Sequence, residues 1–209
     1  LSSFQLMDMK RSPSVAVVTN LAPNHLDVHK DMEEYIFAKT NIFTFQREED
    51  TLIVNGDNDI TGGFVGVGTT RKFSRKEKTN GVWEADGMIF RGETPVLATK
   101  DILIPGEHNI ENYMAAILAV EGLVSDDVIR NVAKTFGGVE HRIELVREKD
   151  GVRFYNDSIA SSPSRTVAGL RSFTEKVILI AGGYDKKVPY DTLGPEICAH
   201  VKKVFLNGH

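Results

Sequence analysis

The chain has 209 residues, 41% of them hydrophobic and 26% charged, with a formal net charge of −4. That is enough apolar sequence for one or two globular cores, and it excludes a disordered or fibrous chain. Its single cysteine, Cys198, excludes an internal disulfide, and no Cys/His array has zinc spacing, so a reducing, cytoplasmic location is expected. The longest apolar runs fall far short of the roughly 20 residues of a membrane helix, so no membrane span is expected. The mildly acidic balance argues against general nucleic-acid binding.

In chain order, residues 15–19 form a short β-branched run expected to be a strand buried on both faces, central in a mostly parallel sheet. Residues 32–45 place Met32, Tyr35, Ile36, Ala38, Ile42 and Phe45 at helical spacing behind acidic residues that suit a helix N-terminus. Residues 51–54 predict a second buried strand. From 64 to 104, short strands broken by Gly, Asn-Gly and Asp-Gly turns predict an antiparallel appendage or sheet edge. Within it, the basic run at 71–78 is expected to be a solvated edge strand or loop. The glycines at 62–68 resemble a dinucleotide fingerprint in the wrong order, with no helix following, so turns are expected there.

Helices are predicted over 109–122, with Gly122 as C-cap, and from the Ser125 cap to Gly137-Gly138, the expected domain boundary. Beyond it come strands at 143–147 and 152–156, a helix at 164–172, a strand at 177–181, a helix at 192–200 and a strand at 201–206. This succession predicts the beginning of a doubly wound α/β domain.

Ligands of open α/β sheets bind beyond the carboxyl ends of strands, and polar residues cluster there. The loop after the first strand carries His25, Asp27 and His29. These can hydrogen-bond the loop or, less readily, ligate a metal. Lys39 follows on a helix; desolvated, its amine would become neutral and nucleophilic, for instance toward carbon dioxide. Asn109 and Asn112, three apart on a first helical turn, can read a planar base, although from the residues alone ordinary helix capping by Asn109 is the favoured explanation. Arg142 at the domain junction can clamp phosphate. The 156–163 segment joins a strand to a helix with Asp157 and Ser161, and Gly182-Gly183-Tyr184-Asp185-Lys186 follows another buried strand. Three such loops converging on sheet ends suit a nucleotide or acidic substrate.

Six elements occur together in order: Ser2-Ser3-Phe4-Gln5-Leu6; Asn24-His25-Leu26-Asp27 with Lys39; Gly106-x-His108-Asn109-x-x-Asn112; Glu140-His141-Arg142; Asn156-Asp157-Ser158-x-Ala160; and Gly182-Gly183-x-Asp185-Lys186. In these the chain resembles the Mur ligases of bacterial peptidoglycan synthesis over essentially its whole length, and the first and fifth elements resemble the D-glutamate-adding, MurD type. The resemblance implies the later part of a mostly parallel-sheet, P-loop-type ATPase domain (1–138), then the first half of a Rossmann-like doubly wound domain (139–209). It also implies a cytoplasmic, monomeric parent enzyme that uses ATP and Mg2+ to join D-glutamate to UDP-N-acetylmuramoyl-L-alanine through an acyl phosphate.

By the same resemblance, His25 would ligate magnesium and Lys39 would be carbamylated to do so, both serving catalysis with Lys186. Ser2 and Gln5 would lie near the muramoyl substrate. Asn109 and Asn112 would face adenine, Arg142 the ATP phosphates and Asp157 the ribose, with Ser161 and Lys186 on D-glutamate. The family's Gly-x-x-Gly-Lys-Thr/Ser loop is absent from this sequence, and Ile159 stands where some members carry a substrate-facing lysine. Both ends read as cut, so an internal fragment, inert alone, is expected. Rival readings are a sister Mur or folylpolyglutamate synthetase-like ligase, or a non-catalytic binding domain of the same fold.

Overall fold

The computed structural model of the chain describes residues 1–22, 29–183 and 189–208. Contacts divide the chain into two compact units, Leu1–Asp101 with Ile110–Ala133, and Ile102–Asn109 with Lys134–His209. The division after Ala133 falls five residues before the expected boundary, and the short segment 102–109 groups with the second unit.

The first unit begins with helix α1 (Ser3–Met7), followed by strand β1 (Val15–Val18), helix α2 (Met32–Thr44) and strand β2 (Thr51–Asn55). Helix α2 starts where the acidic residues predict, because the Asp31 side chain accepts from the Glu34 N–H while Glu33 and Glu34 occupy the first turn. Strands β3 (Thr69–Ser74), β4 (Val82–Ala85), β5 (Met88–Arg91) and β6 (Thr94–Ala98) complete a six-stranded sheet of order β1-β2-β3-β4-β5-β6. The first three ladders are parallel and the last two antiparallel.

Three expectations are corrected here. Among the described residues strand β1 lies at one end of the sheet rather than centrally, and Val15 is 42% exposed; a β-branched run reports which faces are covered, not how many neighbours flank it. The 64–104 region is only partly antiparallel, since β3 extends the parallel ladder. The basic run is neither edge nor solvated loop in its first half. β3 lies between β2 and β4, Phe73 and Ser74 are fully buried, and the cations reach out from the ladder. Arg71 pairs with Glu121 at 2.8 Å, and Lys72 Nζ donates to the Gly62 carbonyl at 2.7 Å. Long basic stems let a strand be internal while their charges find acceptors at its margins.

The core of this unit is built on Leu52, Ile53 and Val54 of β2, Phe73 of β3, Ile89 and Leu97 of the meander, and Met114 and Ile117 of helix α3 (Glu107–Ala119), all essentially inaccessible. Helix α4 (Asp126–Thr135) follows. Arg91 joins it to the meander through Asp126 at 2.8 Å.

In the second unit, β7 (Glu144–Lys149) and β8 (Val152–Asn156) form an antiparallel hairpin. Asp150 and Gly151 both have positive φ, 52° and 77°, as a two-residue hairpin turn requires. Helix α5 (Pro163–Arg171) begins with proline in its first turn, where a missing N–H costs nothing. Strand β9 (Val177–Gly182) and strand β10 (Val201–Asn207) pair in parallel, with helix α6 (Leu193–His200) between them in the chain. Arg171 grips Glu196 bidentately at 2.5 and 3.0 Å, tying α5 to α6. The expected alternation of strand and helix thus holds from α5 onward, whereas β7 and β8 form a sheet of their own.

Candidate active site

Ser2 and Gln5 enclose the start of α1. The Ser2 hydroxyl accepts from the Gln5 N–H at 3.2 Å, and Gln5 Oε1 accepts from the Ser2 N–H at 2.8 Å, a reciprocal capping box. Lys39, on α2, donates from Nζ to the Leu1 carbonyl at 3.1 Å, beside that cap. The sequence candidates Ser2, Gln5 and Lys39, separated by more than thirty residues, are therefore neighbours. Burial alone holds the Lys39 ammonium below the usual lysine range. Its Nζ also lies 5.9 Å from the centre of the Tyr35 ring.

Helix α1 is too short to stand by itself, and α2 secures it. Asn41 donates to the Leu6 and Met7 carbonyls at 3.0 and 3.2 Å, satisfying the helix C-terminus, and the buried His29 ring stacks on Phe4. Asn41 was not among the sequence candidates, and His29, expected to hydrogen-bond its loop or ligate a metal, instead meets the Ser3 hydroxyl of α1. A polar residue among the apolar positions of α2 was the available signal for Asn41. His25 and Lys186 lie outside the described residues. Among the described residues there is no cluster of three or more His, Cys, Asp or Glu able to hold a metal.

A polar cleft of about 350 Å³ opens beyond the carboxyl ends of β1, β2 and β3, lined by Asn20, Asn55, Asp57, Asn58, Arg75, Lys76 and Glu111. Asp57 is occupied within the fold: it accepts from the Ser74 hydroxyl and, at 2.7 Å, from the Arg75 N–H. Asn58 braces the loop after β1 by donating to the Leu21 carbonyl at 2.9 Å. Sequence reasoning passed over this lining, although Asn55-Gly56-Asp57-Asn58 follows a buried strand and meets the same strand-end criterion used elsewhere.

In the second unit, Asp157 accepts from the Ile143 N–H at 3.1 Å. A Cβ on Gly169 would lie 2.8 Å from its Oδ2, so a larger residue there would displace the end of the Asp157 side chain. Burial pushes the Asp157 carboxyl up, against the opposing pull of the Ile143 N–H and of Arg142, His108 and Arg165. His108, unassigned from the sequence, is held below its ordinary range first by burial and then by Arg142, while Asp157 pulls it up. Arg142 and Asp157, two of the sequence candidates, are thus brought within electrostatic reach of each other.

Arg142 sits between two residues in the left-handed region, His141 at φ 65° and Ile143 at φ 47°. For β-branched Ile143 this is a strained conformation, and it persists where surrounding bonds overdetermine the backbone. Here those are Ile143 N–H to Asp157, Ile159 N–H to the His141 carbonyl at 3.2 Å, and His141 N–H to Glu144 at 2.8 Å.

Asn109 is buried, the third residue of α3, and donates from Nδ2 to the Pro105 carbonyl at 2.6 Å, which braces the preceding loop rather than capping the helix, whereas Asn112 is exposed. Ser161 is exposed in the loop leading to α5, its N–H bound to the Ile159 carbonyl at 2.8 Å.

Residues 2–120 match the Mur ligase middle domain, and the chain belongs to the Mur ligase family. Over its full length it is 60% identical to the UDP-N-acetylmuramoylalanine--D-glutamate ligase of Acetivibrio thermocellus. It is 54% identical to the ligase of the same name from Clostridium beijerinckii. The chain spans 46% of each of these relatives. A solved structure of the MurF ligase from Thermotoga maritima in complex with ADP shares the fold, with a TM-score of 0.69 at 18% identity, over 94% of this chain and 53% of that one.

Proposed function

We propose that the full-length protein joins D-glutamate to UDP-N-acetylmuramoyl-L-alanine with hydrolysis of ATP to ADP and phosphate, in the cytoplasm. The observation that carries this reading is the 60% and 54% identity, over the whole chain, to ligases of that name. No described helix is long and apolar enough to cross a membrane, in keeping with soluble substrates.

The chemistry begins with attack of the alanyl carboxylate oxygen on the ATP γ-phosphorus, which releases ADP and leaves an acyl phosphate. The D-glutamate amine then attacks the acyl carbon, phosphate departs, and the amine proton passes to solvent. Two anions must meet in the first step, so the residues nearest them must neutralise or screen charge. Arg142 clamps phosphate oxygens and Asp157 accepts from the ribose. Asn112 reads adenine, with Asn109 shaping the loop beside it.

Ser2 and Gln5 contact the muramoyl substrate, and Ser161 and Lys186 hold the D-glutamate carboxylates. Lys39 fits a modified role. As an ammonium it repels a divalent cation, but its amine, favoured by burial, adds carbon dioxide with loss of a proton to give a carbamate with two ligating oxygens. That carbamate and His25 would hold magnesium, which when bound supplies Lewis-acid screening of the phosphate and carboxylate charges.

The amine specificity tests the reading. In the full-length protein, with UDP-N-acetylmuramoyl-L-alanine and Mg-ATP, D-glutamate is expected to drive ADP release. L-Lysine, meso-diaminopimelate and a folate acceptor are expected to leave it at background. Turnover with one of those instead would assign the protein to a sister ligase.

A further inference from the structure

The buried imidazole of His29 stands apart from the residues assigned above, and its environment is unusual. It is 2% exposed, its Nε2 lies 2.8 Å from the Ser3 hydroxyl, and its ring lies face to face with Phe4, centroids 5.5 Å apart at 9°. The Tyr35 ring lies tilted against it, centroids 5.3 Å apart. Nδ1 has no hydrogen-bond partner and faces the Glu34 carboxylate at 3.6 Å, while Glu34 Oε2 accepts from the Lys30 N–H at 2.7 Å. A carboxylate beside Nδ1 favours the proton on that nitrogen, which leaves Nε2 to accept from Ser3.

Every one of these contacts falls on α1 or on the start of α2. Ser3 and Phe4 lie between Ser2 and Gln5 in sequence, and the Leu1 carbonyl that Lys39 meets is two residues before Ser3. A five-residue helix has no stability of its own, so its position over Lys39 is set by what grips it. Asn41 grips its last carbonyls; His29 grips its first turn.

We infer that His29 is a positioning residue of the ligase site, fixing the first turn of α1 so that Ser2 and Gln5 meet the muramoyl substrate beside Lys39. The inference rests on the proposed D-glutamate ligase reading for its kinetic consequence, and on the geometry alone for the anchoring. It requires no change in charge during the reaction: the ring holds, and other groups react.

The test uses three variants of the full-length protein. His29→Phe keeps the stacked ring and removes the hydrogen bond; Ser3→Ala removes the hydroxyl; the double variant removes both. Loss of one buried hydrogen bond corresponds to about a tenfold change. Each single variant is expected to raise KM for UDP-N-acetylmuramoyl-L-alanine about that much while KM for ATP stays within about twofold. The double variant is expected to be no worse than either single one, because both remove the same bond.

Amide hydrogen exchange over residues 3–8 is expected to accelerate in the same variants. Unchanged KM and unchanged exchange, additive effects, or an equal rise in KM for ATP would overturn the inference. If His29→Phe fails to fold, Ser3→Ala alone decides, since removing one hydroxyl leaves the packing in place. A wild-type protein without D-glutamate-dependent turnover would instead refute the ligase reading, and the exchange measurement would still judge the anchoring.

Discussion

Replacing Lys39 with alanine or arginine in the full-length protein is expected to lower kcat by about 10²–10³-fold, the range for removing one group that stabilises developing charge. The two substitutions ask different questions. Alanine removes the side chain, whereas arginine keeps a permanent cation on a stem of similar length. If Lys39 acted only as a positive charge, arginine would retain most of the activity. The proposed carbamate predicts otherwise. Burial lowers the Lys39 ammonium, the recorded neighbours of Nζ are the Leu1 carbonyl and the face of Tyr35, and no described carboxylate opposes the shift. Such a site weakens the hold on the proton relative to a free lysine, which raises the share of neutral amine, the species that adds carbon dioxide. Both variants are therefore expected to fail alike, and wild-type activity is expected to fall in carbon dioxide-depleted buffer and return with bicarbonate. Arginine retaining more than a tenth of kcat would contradict this account.

The second large effect concerns stability. Phe73→Ala is expected to destabilise the first unit by about 3–5 kcal/mol, the usual cost of truncating a fully buried phenylalanine. Phe73 is wholly inaccessible in β3, facing Asn55 of β2 and Val82 of β4 in the ladders. It is flanked by strands on both sides, so little collapse into the cavity is available. Since domains are stable by only about 5–15 kcal/mol, this is a large share of the total. Urea unfolding should show a markedly lower midpoint for the variant; a change under about 1 kcal/mol would mean that the strand is less enclosed than described.

Phe73 also illustrates what the sequence conceals. It sits in a run of Arg and Lys, and charge density suggested a solvated edge, yet β3 is internal because its basic stems reach Glu121 and the Gly62 carbonyl. Periodicity located α2, β2, β8 and β10 closely, although burial follows the local pattern in α2 and β2 only; the apolar residues Val152, Phe154, Phe205 and Leu206 of β8 and β10 are exposed. It could not say that β1 lies at one end of the sheet among the described residues, because composition records covered faces rather than neighbours in the ladder.

The site divides in the same way. Ser2, Gln5 and Lys39 were legible as motifs, and the fold brings them together. The anchors beneath them, His29 and Asn41, act through backbone and hydroxyl contacts that span more than twenty residues, and the local hint was slight: a polar Asn41 among the apolar positions of α2. The cleft around Asn55 and Arg75 follows the strand-end criterion but was obscured by its turn-like sequence. The left-handed backbone at Ile143 could not be foreseen, because a β-branched residue disfavours it and the hydrogen bond to Asp157, fourteen residues on, helps to hold it.

The central claim is that ATP activates the alanyl carboxylate so that D-glutamate can attack it. Its most direct test is the fate of oxygen-18 placed in that carboxylate of UDP-N-acetylmuramoyl-L-alanine, followed by mass spectrometry of the phosphate released by the full-length protein. One labelled oxygen in each phosphate formed, with release dependent on D-glutamate, is the predicted result. Unlabelled phosphate, or release that proceeds equally without D-glutamate, would contradict it.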